Sequence, residues 1–245
     1  MIDLHTHILP GLDDGPQTWE EAISMARLAA ADGIHTVLAT PHLFRQRFVD
    51  LKARNTPESI LDRVEQFRAR LAQEGIDLQV EAGCEVPLAY EVLGLLEDGQ
   101  LLTVNNGNRY LCLEMPDSAI PIAARDLIFH FSSQGLTPII THPERNLAFA
   151  EMPDKLIGLL RLGCLAQITA GSLTGHFGRR AARFARQLVT KGYVHLVASD
   201  AHNCRSRPPQ LAAAVQVLTK LVGDSRAWDM VVETPQIILA GEPVY

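Results

Sequence analysis

Short apolar runs alternate with longer amphipathic stretches along the whole chain, and most of the apolar runs end in a histidine or an acid. The first stretch, MIDLHTHILPGLDDG, starts as an apolar strand, runs into His5 and His7, and turns at Gly11 with Asp13 and Asp14 beyond it. Thr18-Trp19-Glu20-Glu21 has the form of a capping box, with Thr18 at the N-cap and Glu21 three residues on, so a helix is expected to about Ala31 with Gly33 just past it. The β-branched apolar run 36–40 predicts a second strand ending in Pro41-His42. Residues 45–55 are polar and read as a long loop, and Thr56-Pro57 opens a second helix closed by Gly75. Further strands are expected at 78–82 (followed by Gly83-Cys84-Glu85), 110–113 (ending at Glu114), 137–140 (ending at Thr141-His142), 164–169, and 194–198 (ending at Ser199-Asp200-Ala201-His202). Helices are expected at 122–133 and 179–190, with one or two more at the C-terminal end.

Strands alternating with helical segments are the signature of βαβ crossovers and a parallel sheet. The strands number seven, so the expected fold class is α/β, a seven-stranded (β/α)7 distorted barrel like a TIM barrel one unit short. An open doubly wound sheet is the structural alternative. No linker-like or low-complexity segment divides the chain, which is expected to form one domain over 1–245. The net charge of -6 and pI near 5.8 do not suggest a nucleic-acid partner. No apolar run approaches the roughly 20 residues of a membrane span. The start of the chain lacks a signal peptide's basic flank and apolar core. A cytoplasmic location is the default expectation.

The polar residues that interrupt this pattern sit where strands end. His5 and His7 follow strand one, His42 strand two, Glu85 strand three, Glu114 strand four, His142 strand five, and Asp200 and His202 strand seven. In a barrel this is the face on which active sites are built. His5 and His7 are two apart, so an extended chain presents both to one side, where they can share a metal ion. Mixed imidazole and carboxylate donors suit Mn, Fe or Zn better than Ca. The other four histidines, His35, His130, His176 and His195, fall elsewhere and read as ordinary structural residues. Cys84, Cys112, Cys164 and Cys204 are scattered, form no CxxC, and none has an Arg six positions on, so a Cys-x5-Arg phosphatase loop is absent. A GxSxG elbow and a GxxxxGK[ST] loop are absent too.

At DLHTH, TPH, GCE, LEMP, THPERN and SDAHN the chain resembles the PHP (polymerase and histidinol phosphatase) metal-dependent phosphoesterases. Within them, HILPGLDDGP, HPERN and SDAHN followed by RPP are similar to the bacterial capsule-associated, manganese-dependent protein-tyrosine phosphatases. The resemblance runs in order over essentially the whole chain. It departs after His42, where that subfamily often carries another polar residue and this chain has Leu43-Phe44-Arg45 in a loop bordering the pocket.

The resemblance implies three divalent ions, Mn first, with Fe or Zn as alternatives. His5, His7, Glu85 and Asp200 would hold one; Glu85 would bridge to a second completed by Glu114 and His142; Asp14, His42 and His202 would hold the third. It implies hydrolysis of phosphotyrosine in a protein, such as a tyrosine kinase of capsule or exopolysaccharide synthesis, by a metal-activated hydroxide and without a cysteine nucleophile. Arg145, three residues after His142, and Arg207, in the RPP segment, are the candidate phosphate clamps, with Arg205 a competitor for the second role. Two other readings stay open: a small-molecule phosphatase such as one for histidinol phosphate, and a metal-bound regulatory module with little turnover.

Overall fold

The computed structural model describes residues 1–44 and 54–244. β1 (Ile2–Thr6) leads to α1 (Trp19–Ala31), and β2 (Thr36–Ala39) to α2 (Pro57–Gln73). β3 (Gln79–Ala82) and β4 (Glu85–Pro87) precede α3 (Glu91–Glu97); β5 (Tyr110–Glu114) precedes α4 (Ala124–Ser133). β6 (Thr137–Thr141) is followed by α5 (Leu147–Glu151) and α6 (Pro153–Leu160), and β7 (Leu165–Thr169) by α7 (Ala170–Thr174) and α8 (Gly178–Thr190). β8 (Leu196–Ala198) is followed by α9 (Ala212–Val222), α10 (Asp224–Trp228) and α11 (Thr234–Leu239). Residues 45–53 of the polar loop lie outside the described residues; Phe44 and Arg54 at its ends form an antiparallel bridge.

Every strand pairing is parallel, in a three-stranded sheet ordered β1-β2-β3 and a five-stranded sheet ordered β4 to β8. The strand expected at 78–82 is β3; after Gly83-Cys84 the chain passes to the other sheet and forms the additional short strand β4, which gives eight strand segments among the described residues where seven are expected. The sheets are also bonded to one another. Beyond β1 and β8, His7 N–H donates to Ala201 O at 2.8 Å and Asp200 N–H to His5 O at 2.9 Å. On the other side, Glu85 N–H donates to Pro41 O at 3.0 Å and Leu43 N–H to Glu85 O at 2.8 Å. The result is an α/β fold with parallel sheets, and burial of both faces explains why β1, β2 and β8 read as continuous buried runs.

Two apolar clusters divide the interior. The larger lies between strands and helices and includes the fully buried Met25, Phe67, Phe131 and Phe149. Each such side chain stabilises the fold by about 1.5–3 kcal/mol through lost apolar exposure. The smaller takes Leu4, Leu38, Cys112, Ile139, Leu165 and Leu196 from six different strands, with Ile238 of α11 packed against them. Tyr110, the first residue of β5, donates its hydroxyl to Glu242 O at 2.5 Å, so the C-terminal segment covers the end where strands begin. The opposite end, where strands finish, is left for the site.

Candidate active site

The chain reaches the site through three local departures from regular backbone. In β1, Asp3 pairs with Val37 and Thr6 with Ala39, so one extra residue is accommodated just before the two histidines. Bulges of this kind re-aim side chains. The Asp3 carboxylate steadies this one, accepting from Ser199 N–H at 2.9 Å and His5 N–H at 3.4 Å. Gly15 brings the Gly/Asp turn back onto the strand end so closely that a Cβ there would sit 2.2 Å from His7 O. His142 and Asp200 both take left-handed backbone, with φ of 35° and 54°. For residues with a side chain that conformation costs on the order of 1–3 kcal/mol, and it recurs at functional sites.

These bends bring all nine candidate ligands together. Asp14, His42, Glu85, Glu114, His142, Asp200 and His202 line a cavity of about 590 Å³, and His5 and His7 lie fully buried beneath it. Their donor atoms fall into four groups, each within 4.8 Å: His7, Asp14, His42 and His202; His5, His7 and Asp200; His5, Glu85 and His142; His42, Glu85 and Glu114. His5, His7, His42 and Glu85 each serve two groups. Leu43, Phe44, Leu88, Met115 and Pro116 form an apolar wall of the same cavity.

The imidazoles are held by residues that the sequence did not single out as site residues. His5 Nδ1–H donates to Gln167 Oε1 at 2.9 Å, and His7 Nδ1–H to Asp13 Oδ2 at 2.6 Å. Thr141 donates its hydroxyl to Glu85 Oε1 at 2.6 Å. Glu144, fully buried, accepts from Thr169 N–H at 2.9 Å and from the Ser172 hydroxyl at 2.6 Å, tying the turn that carries Arg145 to α7. Asp13 stands beside a candidate ligand, and nothing in a Asp-Asp pair says which carboxylate faces which way. Gln167 carries no sequence signal at all.

Arg145 Nη1–H and Arg207 Nη2–H both donate to Asp200 Oδ2, each at 2.5 Å, and both line the cavity. Arg205 is exposed, and its backbone N–H is spent on Asn203 Oδ1. The remaining histidines stand apart: His195 Nδ1 accepts from Ala166 N–H, and His130 faces Glu97. Cys84, Cys112 and Cys164 are buried, and burial pushes the Cys164 thiol up to about 12; Cys204 is partly buried, and no cysteine lines the cavity.

The site's charge balance calls for cations. With both Nδ1 atoms donating, His5 Nε2 and His7 Nε2 converge to 3.2 Å and can share one proton or one metal ion. Glu85 Oε2, Asp200 Oδ1 and His202 Nε2 are buried without a hydrogen bond. Their nearest polar neighbours are other candidate ligands, His42 Nδ1 at 3.1 Å from Glu85 Oε2 and Asp14 Oδ1 at 3.2 Å from His202 Nε2, and burying them without a hydrogen bond is costly. Burial and the neighbouring Glu85 charge push Glu114 up to about 7. Burial, with Arg145, pulls His142 down to about 4, and burial, with His7, does the same to His202, so both imidazoles are neutral and ready to donate. The donor set of imidazole and carboxylate, with orphaned atoms converging, fits divalent transition-type ions.

L-hydantoinase from Arthrobacter aurescens superposes with a TM-score of 0.58 at 12% identity, covering 98% of this chain and 70% of its own, which is a likeness of fold alone. At the level of family, residues 1–240 match the capsular polysaccharide synthesis CpsB/CapC model, and the chain belongs to that family. It is 36% identical to the tyrosine-protein phosphatase YwqE of Bacillus subtilis over 245 residues, covering 100% of this chain and 94% of the relative. It is 29% identical to the tyrosine-protein phosphatase CpsB of Streptococcus pneumoniae, covering 98% of each. A crystal structure of YwqE, described together with CpsB as unique metal-dependent tyrosine phosphatases, superposes with a TM-score of 0.94, covering 100% of this chain and 96% of the other.

Proposed function

We propose that this chain is a metal-dependent protein-tyrosine phosphatase that acts in the cytoplasm on a phosphotyrosyl protein, a tyrosine kinase of capsule or exopolysaccharide synthesis. The observation that carries this reading is the convergence of nine imidazole and carboxylate ligands on an apolar-walled cavity with two arginines at its edge. Identity to tyrosine-protein phosphatases over the full length supports it. The chain is read as one domain over 1–245. Its barrel is read as seven-stranded, with β3 and β4 as a single strand interrupted at Gly83-Cys84.

Three divalent ions, Mn foremost, would be held here: His5, His7, Glu85 and Asp200 would hold one, Glu85, Glu114 and His142 another, and Asp14, His42 and His202 the third. Bound there, they supply charge stabilisation of phosphoryl oxygens and a water made acidic near neutral pH. The protein's own part is orientation. Gln167 and Asp13 fix the tautomers of His5 and His7. Arg145 and Arg207, anchored on Asp200, present their remaining N–H groups to phosphate oxygens. The apolar wall from Leu43 to Pro116 packs against the phenyl ring. Tyrosine leaves with a pKa near about 10, so a strong general acid is not required.

The test is the relative kcat/KM of the metal-loaded protein on a phosphotyrosyl peptide and on histidinol phosphate. The account expects the peptide to be favoured by about a hundredfold, the upper range for filling or leaving empty an apolar pocket. A reversed preference would make it a small-molecule phosphatase, and no turnover on either would leave a metal-bound regulatory module.

A further inference from the structure

Helix α8, GRRAARFARQLVT, carries four arginines and no acid, in a chain whose net charge is -6. At 100° per residue, Arg179, Arg180, Arg183 and Arg186 fall within an arc of about 120°. All four are exposed, while Ala181, Ala182, Phe184, Ala185, Leu188 and Val189 are buried. Arg186 is spent on Leu173 O at 3.0 Å. Among the described residues no carboxylate pairs with Arg179, Arg180 or Arg183.

The placement gives this strip its meaning. Arg179 and Arg180 line a groove together with Glu144, Arg145 and Phe177. Arg145 also lines the ligand cavity, so the groove adjoins the site across this one side chain. The Arg145 guanidinium lies 4.9 Å from the centre of the Phe177 ring, which holds the wall between the two. The groove's carboxylate, Glu144, is fully buried and turned onto Thr169 and Ser172. What faces solvent there is cationic. A protein substrate seated with its phosphotyrosine in the cavity must send the adjoining backbone out past one rim.

We propose that the Arg179-Arg180-Arg183 strip binds acidic residues flanking the phosphotyrosine of the substrate, and so selects Asp- and Glu-rich sites. This rests on the phosphatase reading above. A negatively charged protein repels such segments at long range, and an unpaired cationic strip at the mouth of the site is the feature that reverses this locally.

The experiment compares three substrates: p-nitrophenyl phosphate, a phosphotyrosyl peptide flanked by Asp and Glu, and its counterpart flanked by Ser and Gly. They are turned over by the metal-loaded wild type and the triple variant R179A/R180A/R183A. Wild type is expected to favour the acidic peptide by about tenfold through KM, the sum of three solvent-screened ion pairs. The triple variant should lose that preference and keep turnover of p-nitrophenyl phosphate, which also reports that it is folded. If it does not fold, R179K/R180K/R183K should keep the preference and R180E alone should lower it. A wild type with no acidic preference, or a triple variant that retains it, overturns the proposal while leaving the phosphatase reading intact. A wild type that hydrolyses none of the three overturns the phosphatase reading, and this proposal with it.

Discussion

His5 and His7 hold their Nε2 atoms 3.2 Å apart while each Nδ1 is engaged on an acceptor of its own, Gln167 for one and Asp13 for the other. Against burial, which lowers them, the carboxylates around these imidazoles raise both, so without a metal a proton occupies the Nε2–Nε2 contact, and a bound cation would take its place. The tautomers are therefore set from behind, by residues that do not touch an ion.

Replacing Asp13 with Asn removes the charge behind His7 while keeping its shape. Metal affinity should fall about 10–100-fold, as for other groups that orient a metal-binding histidine. Gln167→Leu should weaken the His5 position in the same way but less, since it removes a neutral partner. Competition with a metal-binding dye reads both, and unchanged affinity in Asp13→Asn would show that His7 is held otherwise.

Gly15→Ala tests the backbone approach rather than the ligands. Its Cβ would collide with the carbonyl oxygen of His7, a fixed atom, so the turn carrying Asp13 and Asp14 must move. Metal content should drop, because Asp13 and Asp14 are carried away from His7 and His202, the imidazoles they face. Full metal content in Gly15→Ala would mean that the turn has more room than its contact with His7 shows.

Metal loading should depend on pH with a definite sign. Glu114, pushed up to about 7 by burial and by Glu85, carries a proton below that value which an ion must displace. His142 and His202, pulled down to about 4, do not gate loading, but His5, His7 and His42, raised by neighbouring carboxylates against the effect of burial, hold protons that an ion must also displace. Mn affinity should therefore fall as pH falls below about 7. The sign for stability is opposite in the metal-free protein: a carboxyl whose folded pKa exceeds its model value of 4.5 favours the fold at low pH, and that contribution is lost as pH rises through about 7. Titrations at pH 5.5, 6.5 and 7.5, alongside Glu114→Gln, separate the two effects; a pH-independent affinity would contradict the assignment.

The arginines should separate from the metals. At saturating metal, Arg145→Ala and Arg207→Ala should each lower kcat/KM by about 2–4 kcal/mol, the scale for charge-stabilising donors, and because both also hold the ligand Asp200, metal affinity should fall by a smaller factor measured alongside. Lys should rescue partly, because it lacks the planar fork. Arg205→Ala should be silent: Arg205 is exposed and does not line the cavity, whereas Arg207 reaches Asp200. Damage from Arg205→Ala with a silent Arg207→Ala would move the clamp two residues.

The pattern of strand ends made the site legible before its geometry was known, because a parallel α/β fold gathers residues that follow its strands onto one face. The capping box at Thr18 and the Thr56-Pro57 pair likewise marked the starts of α1 and α2. What stayed hidden has local causes. The helix α3 is short and interrupted by Gly94, and α5 and α6 are divided at Met152-Pro153, so neither shows sustained helical periodicity. The break between β3 and β4 depends on sheet pairing that two residues cannot announce. The second layer of the site, Gln167 and Asp13, depends on which strands become neighbours, and only tertiary structure brings residue 167 to residue 5.

The most direct test of the central claim is metal stoichiometry measured alongside phosphotyrosyl-peptide turnover through chelation and reconstitution. The account expects about three divalent ions per active chain, loss of turnover in step with metal removal while the fold persists, and recovery best with Mn. Full turnover by protein shown to retain no metal would contradict it.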